Sequence, residues 1–317
     1  MNAVVTGSSG FVGSHLVERL LAEGMHVICL TRPTSDPAWI RHLPVEFRPW
    51  GDPQALAGAD FVFHVAGLTR GRSAAEYLAA NADSTRRLIG IVPSGVQRFI
   101  YVSSIAAVGP NPTAAPMDET TAPHPYDFYG QSKRAAEGIV LEAAARIPVT
   151  IVRPPGIYGP RDTNLLSVFR MAGRFGVVPT IGGGQKHLSL IHVHDLAEGL
   201  CRAALQFAAA GQTYFISGGN YTMEEFAAAL AVALGKPLRL LHLPALAARL
   251  AGEWGQLKWA LTGKPQIVSR RKMRDHLQPR WTCSWEKARL ELGFEPRLSL
   301  EEGLRQTAAW YREKGWL

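Results

Sequence analysis

The chain has 317 residues, 47% of them hydrophobic, which is enough to bury the core of one large domain or two interleaved ones. Its three cysteines, Cys29, Cys201 and Cys283, stand far apart without metal-ligand spacing, so reduced structural thiols are expected and no metal site is implied. The formal net charge of +8 comes from scattered Lys and Arg, densest at Arg270-Arg271-Lys272 with Arg274 nearby; without an aromatic-basic motif this argues against nucleic acid and suits an anionic cofactor.

The first apolar run, Val4-Val5, reads as a buried strand beginning at residue 2. That leaves no room for a secretory leader, and no uncharged run is long enough to span a bilayer, so a cytoplasmic protein without an integral span is expected. The strand breaks into Gly7, Gly10 and Gly13 and then a helix carrying Leu16, Val17, Leu20 and Leu21 on one face. Gly7 permits the tight turn, Gly10 lets the backbone approach a pyrophosphate, and Gly13 lets the helix pack on the strand. Gly7, Ser9, Gly10, Phe11 and Val12 are therefore candidate dinucleotide contacts, the anion resting on the free amides and positive end of the helix.

Further strand-like runs at Val27-Ile28-Cys29-Leu30, Phe61 to Val65, Phe99-Ile100-Tyr101-Val102 and Val149-Thr150-Ile151-Val152 alternate with helix-like ones. This pattern predicts an α/β fold of the Rossmann type, a doubly wound parallel sheet covered on both faces. The second strand runs into Thr31-Arg32, with no acid to accept hydrogen bonds from an adenosine ribose. A hydroxyl beside a guanidinium suits a 2′-phosphate, which favours NADP(H) over NAD(H); the alternative is an exposed Arg32 with no ligand.

The fourth long run ends in Ser103-Ser104, at the sheet edge where open α/β folds bind ligands. The Pro-rich stretch from Pro110 to Pro125 reads as a long loop able to act as a lid. Beyond it Tyr129 and Lys133 lie four residues apart, one turn from each other on one helical face. A phenol is too reluctant an acid near neutrality, and a neighbouring ammonium brings it toward working range.

After Pro154 the pattern turns irregular, and from Thr222 onward Ala-Leu helices dominate. We therefore expect a dinucleotide-binding domain over 1–155, with 189–218 returning to it, and a smaller, discontinuous substrate-binding region over 156–188 and 219–317. The stretch from Leu243 to Leu261 fits an apolar pocket wall, a packed helix or a helix lying on a membrane surface; Arg249, Glu253 and Lys258 keep it from spanning.

Together the glycine fingerprint, the Ser103-Ser104 strand end and Tyr129-x-x-x-Lys133 resemble the extended short-chain dehydrogenase/reductases, the epimerase/dehydratase-like branch, over nearly the whole chain. The resemblance implies that Tyr129 is the acid/base, that Lys133 lowers its pKa and holds the nicotinamide ribose, and that Ser104 positions the substrate oxygen. Ser104 is chosen over Ser103 because the family's hydroxyl lies five residues before a glycine, here Gly109. By the same likeness His64-Val65-Ala66-Gly67 runs along the cofactor, placing Ala66 and Gly67 beside it. Pro154 joins the cofactor contacts, Asp52 lies near the adenine, and Asn81 is a supporting residue. The segment from Trp285 to Leu304 resembles the family's closing helices. A homodimer through the helices near 74–92 and 129–145 is also implied.

Two motifs of the nucleotide-sugar enzymes depart here. Gly156 stands where they carry Asn before Ile157-Tyr158-Gly159-Pro160, and Leu188 and Ser189 replace their diphosphate-binding Arg and its acidic neighbour. Lys186 or His187 could compensate. The departures point to a substrate without a diphosphate, as in the hydroxysteroid dehydrogenase and dihydroflavonol reductase-like branch. The expected activity is NADP(H)-dependent interconversion of a secondary alcohol and a ketone on a mainly apolar small molecule. The alternatives are a nucleotide-sugar epimerase or dehydratase that retains its NAD(P), and a redox-inert sensor, against which the intact Ser104, Tyr129 and Lys133 argue.

Overall fold

A computed structural model describes residues 1–52, 54–181, 186–244, 246, 250, 253–254 and 277–317. The basic run at 270–274, the glycines at 182–184 and most of the 243–261 stretch lie outside them.

Each apolar run becomes a strand. In chain order these are β1 (Asn2–Thr6), β2 (His26–Thr31), β3 (Glu46–Pro49), β4 (Phe61–His64), β5 (Arg98–Val102), β6 (Val149–Arg153), β7 (Gly156–Tyr158), β8 (Val177–Ile181), β9 (His187–His192) and β10 (Gln212–Phe215). Seven of them form one parallel sheet in the order β10-β6-β5-β4-β1-β2-β3. The order reverses at β1, where Val4 pairs with both Ile28 and Val62. A crevice therefore opens beyond the carboxyl ends of β1 and β4, the usual ligand position in such sheets.

Helices cover both faces, as strands without a polar face require. On one side α1 (Phe11–Ala22) contributes buried Leu16 and Leu20 against Val5 and Ile100. On the other, α2 (Ala74–Leu78), α3 (Ser84–Ile91) and α4 (Phe128–Glu142) follow, with Leu88, Ile89, Ala136 and Val140 packed on Val4 and Phe99. The helix expected near 74–92 is not continuous: a π-helical turn over Ala79–Asp83 separates α2 from α3. Such turns displace one side chain from the regular helical face, and here that segment carries Asn81.

The glycine fingerprint behaves as its spacing predicts. Gly7 has φ +69°, and a Cβ there would lie 2.8 Å from the Ala66 backbone. At Gly13 a Cβ would stand 2.1 Å from the Gly7 carbonyl oxygen, so α1 sits on the loop as closely as a helix can.

A second layer begins with α5 (Leu166–Phe175) and continues through α6 (Val193–Leu205), which returns to the large sheet, then β11 (Gly219–Thr222), α7 (Met223–Leu234), β12 (Arg239–Leu243) and β13 (Arg280–Trp281). β9 pairs with β7, β11 and β13, while β12 pairs with β8. Phe169, Leu230, Leu304 and Tyr311 form this layer's core, the last two from the helix Leu300–Glu313.

The Pro-rich stretch is a long loop, as its composition predicts, and side chains strap it down. Asn111 Nδ2 donates to the Thr282 carbonyl at 3.0 Å, and Thr282 N donates back to Asn111 Oδ1 at 2.7 Å. Met117 bridges to Cys283, and Glu119 accepts a hydrogen bond from Phe215 N at 2.8 Å. Side chains and isolated bridges fasten this segment, in place of the ladder that its prolines interrupt.

Candidate active site

The two serines that end β5 diverge. Ser103 is buried and its Oγ donates to Glu137 Oε1 at 2.7 Å. Ser104 caps the short helix Ile105–Ala107 by accepting from Ala106 N at 3.1 Å, and it is the serine whose hydroxyl lowers the pKa of the Tyr129 phenol. Tyr129 reaches that position because α4 starts close by. Asp127 caps α4 by accepting from Gly130 N at 2.7 Å, and Gly130 lies so near the 105–107 helix that a Cβ would meet the Ala106 carbonyl at 2.2 Å.

Lys133 follows one turn along α4. Its Nζ donates to the Val102 carbonyl at 2.8 Å and stands 4.7 Å from the Tyr101 ring centre. Burial pushes the ammonium down to about 8, with the Glu137 carboxylate opposing. Burial likewise pushes the Tyr129 phenol up to about 12; the Ser104 hydrogen bond lowers it, while Asp127 and Tyr77 raise it further. This differs from the expectation that Lys133 brings the phenol down. In this geometry loss of water outweighs the stabilising contacts, and the ammonium is engaged by a carbonyl.

One turn beyond Lys133, Glu137 is fully buried and receives Arg153 Nε and Nη2 at 2.8 Å each, with Arg134 Nη1 at 3.0 Å. Burial alone would raise its pKa, but the Arg153 guanidinium holds it below the usual carboxylate value. The sequence reading missed this carboxylate. Its signal was the spacing, since Glu137 repeats the four-residue step from Tyr129 to Lys133.

The segment from His64 to Leu68 is laid along the crevice by polar ties. His64 is hydrogen-bonded to Thr6 Oγ1 at 2.8 Å and Thr85 Oγ1 at 2.9 Å. Burial, then the Lys133 charge, push its pKa to about 3, so it is neutral. Asn81 accepts from Leu68 N at 2.7 Å and donates to the Leu68 carbonyl at 3.1 Å and to Ser132 Oγ at 2.8 Å.

A cavity of about 260 Å³ opens there. Gly7, Ser9, Arg32, Ala66 and Gly67 line it, and so do Trp50, Ser84 and Arg87, which sequence reasoning did not single out. Gly10 is the N-cap of α1, which has no side-chain cap and no acid in its first turn. Phe11 packs edge-on against His15 with ring centres 6.0 Å apart, and Val12 packs against the core under the sheet. Asp52 accepts from Gln54 N at 2.8 Å in a local turn, while its neighbour Trp50 reaches the cavity wall. The Pro154 carbonyl accepts from Ile105 N at 2.9 Å, tying the Ser104 segment to the end of β6.

At the positions that depart from the nucleotide-sugar pattern, Gly156 faces Leu190, whose Cδ2 would be 2.9 Å from a Cβ. Leu188 packs against the second core, and buried Ser189 accepts from Cys283 N at 2.9 Å while donating to Asn220. No charge is presented by these three.

Residues 3–217 match the model of the NAD dependent epimerase/dehydratase family. The chain belongs to that family. It is an NAD(P)-dependent enzyme of the extended short-chain dehydrogenase/reductase type. Among its relatives, ceramide reductase of Caulobacter vibrioides (strain NA1000 / CB15N) is 33% identical over 99% of this chain and 95% of its own. UDP-glucose 4-epimerase of Vibrio cholerae is 28% identical over 96% of this chain and 94% of its own. The crystal structure of gox2253 superposes with a TM-score of 0.82 at 28% identity, covering 99% of both chains.

A nicotinamide dinucleotide, the cofactor of an epimerase/dehydratase family member, fits the residues present. The uncapped start of α1 leaves backbone N–H groups for a pyrophosphate. The glycine edges of the cavity leave room where side chains would intrude: a Cβ on Gly67 would lie 3.2 Å from both Lys133 Nζ and Asn81 Oδ1. Among the described residues no helix is long and apolar enough to cross a membrane.

Proposed function

We propose that this enzyme is an NADP(H)-dependent oxidoreductase that interconverts a secondary alcohol and a ketone on a mainly apolar small molecule. The observation that carries the reading is the meeting of Ser104, whose hydroxyl lowers the Tyr129 pKa, with Tyr129 and Lys133 one turn apart on the helix at the sheet edge. Arg32 in the cavity wall supports NADP(H), because its guanidinium is suited to a 2′-phosphate. Gly7, Ser9, Gly10, Phe11, Val12, Ala66, Gly67 and Pro154 would hold the rest of the dinucleotide. Asp52 is assigned to the adenine side only by family likeness.

In the reducing direction Ser104 and Tyr129 would both hydrogen-bond the ketone oxygen. With its pKa near 12, Tyr129 holds its proton at neutral pH and can donate it from Oη to that oxygen. The bound nicotinamide supplies the hydride that reaches the carbonyl carbon. Lys133, charged below about pH 8, would hold the nicotinamide ribose, as the family likeness implies, and solvent would return a proton to the phenolate left behind. Ketone, reduced cofactor and one proton thus become alcohol and oxidised cofactor.

Leu188 and Ser189 withhold the charge that a diphosphate would need, which supports an apolar substrate. The reductase relative acts, by its name, on ceramide. Carried over, this makes a long-chain lipid ketone the first substrate class to try. A cytoplasmic homodimer through α2–α3 and α4 belongs to the same proposal, on family likeness. The second reading, a nucleotide-sugar epimerase with retained NAD(P), is favoured by the Vibrio cholerae relative.

Deuterium labelling separates the two. Incubation with NADPH carrying deuterium at nicotinamide C4 and a long-chain ketone should place the label on the carbinol carbon, with equal consumption of NADPH. An isomerised nucleotide sugar formed without NADPH consumption would overturn the reductase reading.

A further inference from the structure

We propose that Arg87 is the second arm of a two-guanidinium clamp that, with Arg32, grips the 2′-phosphate of NADP(H) and sets the enzyme's cofactor preference. The proposal rests on the NADP(H) reading above and adds to it a residue from another part of the chain.

Arg32 enters the cavity from the loop after β2, and Arg87 enters the same cavity from α3. On the helical side the wall is made by Ala79, Ala80, Ser84 and Arg87. Ala79, Ala80 and Ser84 are small, so Arg87 is the one long side chain that this side sends to the cavity. Its neighbour Arg86 is also exposed but is not part of the wall.

The charge balance of the cavity is one-sided. Its lining holds two guanidiniums and no carboxylate. Among the described residues neither Arg32 nor Arg87 forms an ion pair, whereas Arg48, Arg134, Arg153, Arg161 and Arg202 each have a carboxylate partner. Two unpaired cations lining one cavity repel each other, and a dianion between them reverses the sign of that interaction. Both side chains are exposed at the rim, free to turn onto such a group. A phosphate monoester matches the planar forks of two guanidiniums better than a ribose diol does.

The other chemistry open to Arg87 is stacking over the adenine beside Trp50. The two differ in what they discriminate: a stacked guanidinium serves NADH and NADPH alike, whereas a clamp serves only the phosphorylated cofactor.

The test is direct binding to the full chain, measured by calorimetry without turnover. The probes are NADPH, NADH, adenosine 2′,5′-bisphosphate, adenosine 3′,5′-bisphosphate and adenosine 5′-phosphate. Wild type should prefer the 2′-phosphorylated member of each pair. Arg87→Ala should lose about tenfold to a hundredfold in affinity for NADPH and adenosine 2′,5′-bisphosphate, with less than about a threefold change for NADH. Arg86→Ala, which removes the same charge one residue away, should keep the wild-type preference. In Arg32→Ala/Arg87→Ala the losses should fall short of additive, because both side chains grip one group.

An equal loss for NADPH and NADH in Arg87→Ala, or no loss for either, would overturn the clamp while leaving the Arg32 reading in place. So would equal wild-type binding of the 2′,5′- and 3′,5′-bisphosphates, the mark of a generic phosphate patch. A wild type indifferent to the 2′-phosphate would remove the NADP(H) reading itself.

Discussion

Glu137 accepts two hydrogen bonds from Arg153, from Nε and Nη2 at 2.8 Å each, and both side chains are buried. The pair also holds Ser103, beside Ser104, and it joins the end of β6 to the helix that carries Tyr129 and Lys133. Three segments of the site are thereby fixed by one carboxylate. Removing one partner strands the other charge, so Glu137→Gln should destabilise the protein by about 3–5 kcal/mol. Glu137→Gln/Arg153→Met should recover part of that loss, as denaturant unfolding would show. The Glu137 pKa is lowered in the folded state, so its contribution is present above the unfolded carboxylate pKa and is lost as pH falls through the folded value.

The pH profile of ketone reduction follows from Lys133. Its pKa is lowered to about 8, so the ammonium is present below that pH and neutral above it, while Tyr129 keeps its proton until about 12. The reduction rate at saturating substrate should therefore fall as pH rises through about 8. Lys133→Met should be slow throughout and lack this limb. A rate that stays level from pH 7 to 9.5 in the wild type would contradict the assignment.

Ser104→Ala removes the hydroxyl that lowers the Tyr129 pKa and leaves the cap of the 105–107 helix open. The rate of reduction should drop about tenfold or more, the value of one hydrogen bond to a developing charge. Ser103→Ala acts elsewhere, on the buried Glu137, and should show as lost stability in thermal unfolding.

Gly13→Ala places a methyl group 2.1 Å from the Gly7 carbonyl, so α1 must move off the loop. A few kcal/mol of stability, about the cost of overpacking a close contact, should be lost together with dinucleotide binding. Unfolding with and without NADPH would measure both.

Much of this was legible in the sequence because it depends on local pattern. The apolar runs gave the parallel strands, the spacing of Gly7 and Gly13 gave the turn and the close helix, and Tyr129 and Lys133 showed their shared face. What escaped depends on partners distant in the chain. Arg87 is an ordinary surface arginine until α3 is laid beside the end of β2. The Glu137–Arg153 pair joins a helix to a strand end, and nothing at either residue names the other. The pKa of Tyr129 failed to follow the motif for a similar reason: burial and the Val102 carbonyl, both tertiary, decide where the Lys133 charge goes. The ties of the Pro-rich loop escaped for the same reason, because Asn111, Met117 and Glu119 find their partners near Thr282, Cys283 and Phe215.

The central claim is net reduction of an apolar ketone with Tyr129 as proton donor. Its most direct test is NADPH consumption by the purified protein against a panel of long-chain ketones and nucleotide sugars, with Tyr129→Phe alongside. Turnover on a ketone that falls about a hundredfold to ten-thousandfold in the variant is the predicted result. Isomerisation of a nucleotide sugar without NADPH consumption, or ketone reduction that survives in Tyr129→Phe, would contradict it.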